Sequence, residues 1–170
     1  MTDVLSPPHR RLNMSRIRSR NTAPEMIIRR GLRARGLRYL LHDRSLPGSP
    51  DLVFPKYRTV AFVNGCFWHA HGCALSKLPD TRRDFWRGKL QANTERDRRA
   101  IDALKRSGWR VLVVWECALR GTARRSVAEI LDMSEHFIQS EQSVFFRDIG
   151  NLVPQQNLWA CSGSGSAPSL

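Results

Sequence analysis

The segment Cys66-Phe-Trp-His69-Ala-His71-Gly-Cys73 sets four candidate metal donors within eight residues. Cys117 follows much later, directly after an apolar run. Cys66, His71, Cys73 and Cys117 together would complete a Cys₃His tetrahedron, a donor set that suits structural zinc. Three of these donors sit on one loop and the fourth at a distant strand end. A metal held between them would pin the loop to the sheet and add folding free energy. The spacing is not the usual C-x₂-C, and the same residues also fit buried free thiols beside a surface histidine. His69 is left over. A histidine on a clamped loop can serve as a general base near neutral pH, but a lone histidine is equally read as a surface or ligand residue. Cys161 has no nearby partner in the sequence and is set aside.

A second candidate site centres on Pro50-Asp51, at the mouth of a strand. A strand-borne Asp can bind Mg²⁺, which polarises a phosphate and stabilises attacking and leaving oxygens. The next strand ends at Val63-Asn64, where Val63 offers only its backbone carbonyl as an oxygen ligand. The Pro-Asp pair also reads as an ordinary turn. Glu25 has two readings as well: it closes a helix capping box, or it faces a metal from the first helical turn. Asp97, within Glu95-Arg-Asp-Arg-Arg99, reads on its own as a solvated helix charge.

The aromatics near these groups fall outside any regular period. Phe67 and Trp68 lie between candidate ligands, and Trp86 sits beside Arg82, Arg83 and Arg87. Aromatics interleaved with arginine can stack on bases or pry a base step apart; packing in the core is the other reading. Met14 sits in a basic stretch where no hydrophobic period accounts for it.

Charge supports a nucleic-acid partner. Lys and Arg number 28 against 15 acids, for a net +13. Residues 1–40 carry ten of the arginines against Asp3 and Glu25. A front-loaded basic arm of this kind suits phosphate neutralisation. The 41% hydrophobic content allows an ordinary core. No run of about 18 apolar residues exists to span a membrane, and the N-terminus lacks the apolar stretch of a signal peptide. A cytoplasmic location is the expectation.

The elements that must position these residues follow from punctuation and period. Residues 1–20 read as a flexible basic arm. Thr22-Ala-Pro-Glu25 starts a helix that stops at Gly36. Strands are expected over Leu37–Leu41, Asp51–Phe54 and Thr59–Val63. A long charged helix is expected from Thr81 to Ser107. Trp109–Trp115 is a nearly continuous apolar strand and so central. A last helix spans Ala123–Ser140, and residues 141–170 read as a variable, disordered tail. The order α-β-β-β-α-β-α predicts an α/β fold, a mixed sheet flanked by helices.

Five blocks resemble the very-short-patch repair (Vsr) mismatch endonucleases: NMSRIRSRNTAPE (13–25), SLPGSPDLVF (45–54), FVNGCFWHAHGC (62–73), FWRGKLQANTERDRR (85–99) and GWRVLVVWECALRG (108–121). The resemblance covers residues 10 to 121 and makes 21–140 the endonuclease domain. It implies a restriction-endonuclease-like core with a structural zinc. It implies an enzyme that recognises T:G mismatches left by 5-methylcytosine deamination and nicks 5′ of the thymine. Asp51 then matches a ligand bridging two Mg²⁺ ions, the Val63 carbonyl a second-strand ligand, and His69 the general base. Glu25 and Asp97 match supporting acidic positions, Asp97 acting through water. Cys66, His71, Cys73 and Cys117 match the zinc ligands. Phe67, Trp68 and Trp86 match an aromatic wedge entering from the major groove, and Met14 a residue entering from the minor groove. The implied partners are double-stranded DNA, a cytosine-5 DNA methyltransferase by functional link, and mismatch-repair proteins; the implied state is a monomer. One departure is Asn64, where the family often has histidine; asparagine cannot titrate near neutral pH. The rival readings are a zinc-stapled DNA-binding module without catalysis and a nuclease of the same fold with another DNA substrate.

Overall fold

The computed structural model describes residues 20–122, 124–140 and 144–150. Helix α1 (Ala23–Ala34) begins at Thr22, whose side chain accepts a hydrogen bond from the Glu25 amide at 3.4 Å. Strand β1 (Leu40–Leu41) is short and exposed, and runs antiparallel to β2 (Leu52–Phe54). A turn of 3-10 helix, Pro55–Tyr57, leads into β3 (Thr59–Asn64). The long helix α2 (Arg83–Arg106) crosses to β4 (Arg110–Trp115). A single turn, α3 (Glu116–Leu119), follows at once. Helix α4 (Val127–Gln139) opens on a complete capping box between Ser126 and Glu129 and leads to β5 (Phe146–Ile149).

The five strands lie in sequence order. β2 and β3 pair antiparallel, whereas β3–β4 and β4–β5 pair parallel. The two parallel joins are the ones bridged by helices, as a crossover requires. The result is the expected mixed sheet flanked by helices.

Strand alternation divides the core in two. Leu112 and Val114 of β4 pack with Ile28 and Leu32 of α1 and Ile130, Phe137 and Ile138 of α4. Val111, Val113 and Trp115 point the other way, onto Ile101 and Leu104 of α2 and onto Cys66 and Cys117. Successive β4 side chains therefore feed opposite layers. Gly31 permits the close α1–α4 approach: a Cβ there would lie 2.4 Å from Leu131 Cδ1.

Several expectations need correction. The strand expected over Leu37–Leu41 is confined to its last two residues, because Leu37 turns into the core (2% exposed). The last helix starts at Val127, four residues later than expected, because Ser126 caps it. The boundary expected at residue 140 leaves out β5: Ile149 is buried, and the Val111 amide donates to the Phe145 carbonyl at 2.9 Å. Trp109 is only half-buried and lies under the Arg58 guanidinium, 5.4 Å away, while Trp115 is buried as expected.

Candidate active site

Asp51 and the end of β3 meet across the antiparallel β2–β3 pair. The Val63 amide donates to Asp51 Oδ2 at 2.8 Å. The amide of Val63, whose carbonyl was expected to act as a ligand, thus already braces the carboxylate. Burial pushes the Asp51 carboxyl up to about 6; the Val63 amide works against that shift, and the Glu25 charge adds to it.

Asp51, Val63, Asn64, His69, Arg96 and Asp97 line one cleft of about 360 Å³. Its far wall is α2, and Gly48 forms part of the near side. Gly48 has φ +75, and a Cβ there would lie 2.9 Å from the Cβ of Ala100 on α2, so the loop before Asp51 can approach the helix only with glycine. His69 Nδ1 makes a short hydrogen bond to Asp97 Oδ2. On its own Asp97 was expected to be a solvated helix charge; it instead touches His69 directly. That contact fixes the ring and leaves Nε2 as the edge available to a reactant.

Glu25 does not close the capping box. Its carboxylate turns inward, is 1% exposed, and sits 3.2 Å from Arg29 Nη1 and 3.3 Å from His42 Nε2. Of its two readings the completed cap is not seen; the carboxylate instead meets Arg29 and His42. His42 is the residue that sequence reasoning missed. It follows β1, and its amide donates to the Asp51 carbonyl at 3.2 Å.

The four sulfur and imidazole donors converge. One ligand atom from each of Cys66, His71, Cys73 and Cys117 lies within 4.8 Å of the others. Cys117 Sγ is 3.5 Å from His71 Nδ1, and the Cys117 amide donates to Cys66 Sγ at 3.3 Å. Cys117 reaches this point from the first turn of α3, not from the strand end. His71 stacks on Trp115 with centroids 4.2 Å apart. Burial disfavours its charged ring, but hydrogen bonds to Cys117 and Cys73 outweigh burial and hold it at about 9. The Cys66 thiol is pushed far up by Cys117 and by burial. Three sulfurs and an imidazole this close together are a donor set able to hold a metal ion.

Phe67, Trp68 and Trp86 form one edge-to-face trio, with centroids 5.0, 5.3 and 6.1 Å apart. All three are half-buried, so neither a pure core role nor full exposure describes them. Lys89 lies over the rings of Trp68 and Trp86 at 5.5 Å. Asn93 of α2 donates to the Trp68 carbonyl at 3.0 Å and fastens the loop to the helix. Met14 and Cys161 lie outside the described residues.

A part-buried carboxylate, a carboxylate-braced imidazole and an arginine in one cleft are equipped for metal-assisted phosphodiester hydrolysis, the chemistry of a nuclease. The comparisons with known proteins agree. The family model for the DNA mismatch endonuclease Vsr matches residues 2–75. The chain is 50% identical over 136 residues to the type II nicking enzyme V.XorIIP of Xanthomonas oryzae pv. oryzae, covering 79% of this chain and 100% of the relative. It is 46% identical over 141 residues to the DNA mismatch endonuclease Vsr of Escherichia coli, covering 83% of this chain and 90% of the relative. It is 40% identical over 138 residues to the type II nicking enzyme V.NmeAIP of Neisseria meningitidis, covering 78% and 99%. The chain belongs to the Vsr family of DNA mismatch endonucleases. No helix among the described residues is long and apolar enough to cross a membrane.

Proposed function

We propose that this chain nicks the thymine-bearing strand on the 5′ side of a T:G mismatch produced by 5-methylcytosine deamination, and so begins very short patch repair. The observation that carries this is the shared cleft of Asp51, His69 and Asp97, with Phe67 and Trp68 on the same loop as His69 and Trp86 meeting them from α2. The strand order and crossovers support a restriction-endonuclease-like core.

In this reading Asp51 holds Mg²⁺, two ions in the fullest form, with the Val63 carbonyl as a further oxygen ligand. The fit rests on a part-buried carboxylate that is disfavoured as a bare anion and stands beside a buried one, Glu25. When bound, the cation supplies polarisation of the scissile phosphate and neutralises charge on its oxygens. His69 orients the attacking water and takes its proton at Nε2. Asp97 keeps the ring in place and favours the imidazolium that forms. Arg96 offers a guanidinium to the phosphate. Asn64 contributes at most a hydrogen bond, since its amide cannot exchange a proton near neutral pH.

Cys66, His71, Cys73 and Cys117 would hold one structural zinc. The thiolate-rich set and the close approach of the four donors suit tetrahedral Zn²⁺. Phe67, Trp68 and Trp86 enter the duplex beside the mismatch. A wobble pair stacks less well than a Watson–Crick pair, so parting the step costs less there. Met14 and the basic arm grip the other groove. The enzyme acts as a monomer in the cytoplasm, and its flanking-sequence preference mirrors a partner cytosine-5 methyltransferase.

The test is a nicking assay with Mg²⁺ on T:G duplexes spanning a library of flanking sequences. Nicks 5′ of the mismatched thymine, in a narrow set of flanks, are the expected result. Tight binding without any nick would instead make the chain a DNA-binding module. Cleavage of both strands of matched DNA would make it a nuclease with another substrate.

A further inference from the structure

Three side chains from three separate elements converge beside the cleft. Glu25 comes from the first turn of α1, His42 from the residue after β1, and Asp51 from the entrance to β2. One donor atom from each lies within 4.8 Å of the other two. The His42 ring stands between the carboxylates, with Nε2 3.3 Å from Glu25 Oε1 and Nδ1 3.6 Å from Asp51 Oδ1. Its backbone is held there by two features: a left-handed φ of 48 and the amide bond to the Asp51 carbonyl at 3.2 Å. His42 Nε2 is buried and has no hydrogen-bond partner among the described residues. Glu25 also pairs with Arg29, whose Nη1 is shared with Asn21 Oδ1 at 2.6 Å. The buried Glu25 and the part-buried Asp51 thus share the His42 imidazole, with Arg29 beside Glu25 and the charges of His69 and Arg20 acting on Asp51.

We propose that Glu25, His42 and Asp51 bind one divalent cation together, with the His42 imidazole as a nitrogen ligand, and that this nitrogen shifts the site's preference from Mg²⁺ toward Mn²⁺ or Co²⁺. The proposal deepens the reading of Asp51 as a cation ligand and rests on it. Mg²⁺ favours a shell of hard oxygens and keeps several waters. An imidazole in the shell favours first-row transition ions, whose affinity for nitrogen donors rises along the series from Mn²⁺. The set also explains why Glu25 abandons the helix cap. A capping carboxylate would sit outside, whereas a ligand must turn toward β1 and β2.

The experiment uses the full chain with its zinc and adds Mn²⁺ or Mg²⁺ alone, without DNA. Calorimetry gives the two affinities, and pulsed electron paramagnetic resonance on the Mn²⁺ complex detects a directly bonded ¹⁴N. The unmutated protein is expected to show that nitrogen and to bind Mn²⁺ more tightly than Mg²⁺. His42→Gln and His42→Asn are expected to lose the nitrogen signal and to weaken Mn²⁺ by about tenfold or more, with a smaller effect on Mg²⁺. A Mn²⁺ complex of the unmutated chain with no nitrogen signal overturns the proposal, even if both variants fail to fold. A signal that persists in a folded variant also overturns it. Asp51→Asn is expected to abolish binding of both ions. If both still bind, the reading of Asp51 fails, an outcome separate from the failure of His42.

Discussion

The Val63 amide donates to Asp51 Oδ2 at 2.8 Å, so the last rung between β2 and β3 ends on a side chain and not on a carbonyl. This bond holds the carboxylate at the cleft while burial raises its proton affinity to about 6.

The sign of that shift sets a stability prediction. The folded value lies above the ordinary 3.8, so the folded chain binds the Asp51 proton more tightly than the unfolded chain does. Without added divalent cation, the contribution of Asp51 to stability is greatest below the ordinary value and is lost as pH rises through about 4 to 6. Asp51→Asn removes this penalty while its amide oxygen can still accept from Val63. Thermal unfolding in Mg²⁺-free buffer at neutral pH should show the variant more stable, by at most about 3 kcal/mol. Nicking should be abolished, and mismatched-DNA binding retained.

Asp97 braces His69, so Asp97→Asn should keep the fold and mismatch binding but misdirect the imidazole. The single-turnover nicking rate is expected to fall about 10²- to 10⁴-fold. An unchanged rate would remove Asp97 from the machinery.

Elemental analysis should find one zinc per chain, lost in Cys73→Ser and unaffected by Cys161→Ser. Stripping the metal should lower stability by several kcal/mol or more, because Cys66 and Cys117 are both buried in the core layer beneath α2. Guanidinium titrations with and without the metal measure the difference.

Trp68→Ala should weaken binding to a T:G duplex by about 1–3 kcal/mol while affecting matched duplex less. Competition binding with the two duplexes gives the comparison.

Ending the chain after residue 140 should unfold it, whereas ending it after Gly150 should not. The shorter form loses the buried Ile149, worth about 2–5 kcal/mol by analogy with truncating a core residue. It also loses the Asp148 acceptor that holds Trp115 Nε1 at 2.9 Å. Circular dichroism melts of the two truncations test this.

Much of the layout was legible because it depends on local pattern. The apolar run to Trp115 marked the central strand, and the crowding of Cys66, His71 and Cys73 marked the loop whose donors converge with Cys117. What escaped depends on pairing between distant segments. His42 reaches Asp51 only because Leu41 pairs with Leu52, and nothing in its own neighbours signals that. Glu25 reads as a cap because its spacing from Thr22 is right, and only burial against His42 reveals where it turns. β5 is short, and its Arg147 and Asp148 are exposed, so it carries too few apolar residues to stand out. The Asp97–His69 contact joins a helix to a loop 28 residues away, which no helical period records.

Only one residue separates Cys66 from Trp68, and only one separates His69 from His71. The rings of Phe67 and Trp68 and the imidazole of His69 therefore share a single short span anchored at both ends. Anything that tilts the tryptophan against Trp86 also moves the histidine relative to Asp97. On the proposed function, seating the aromatics in a substrate and aiming the proton acceptor would be one motion, and a duplex that failed to admit the rings would also leave the base misaligned.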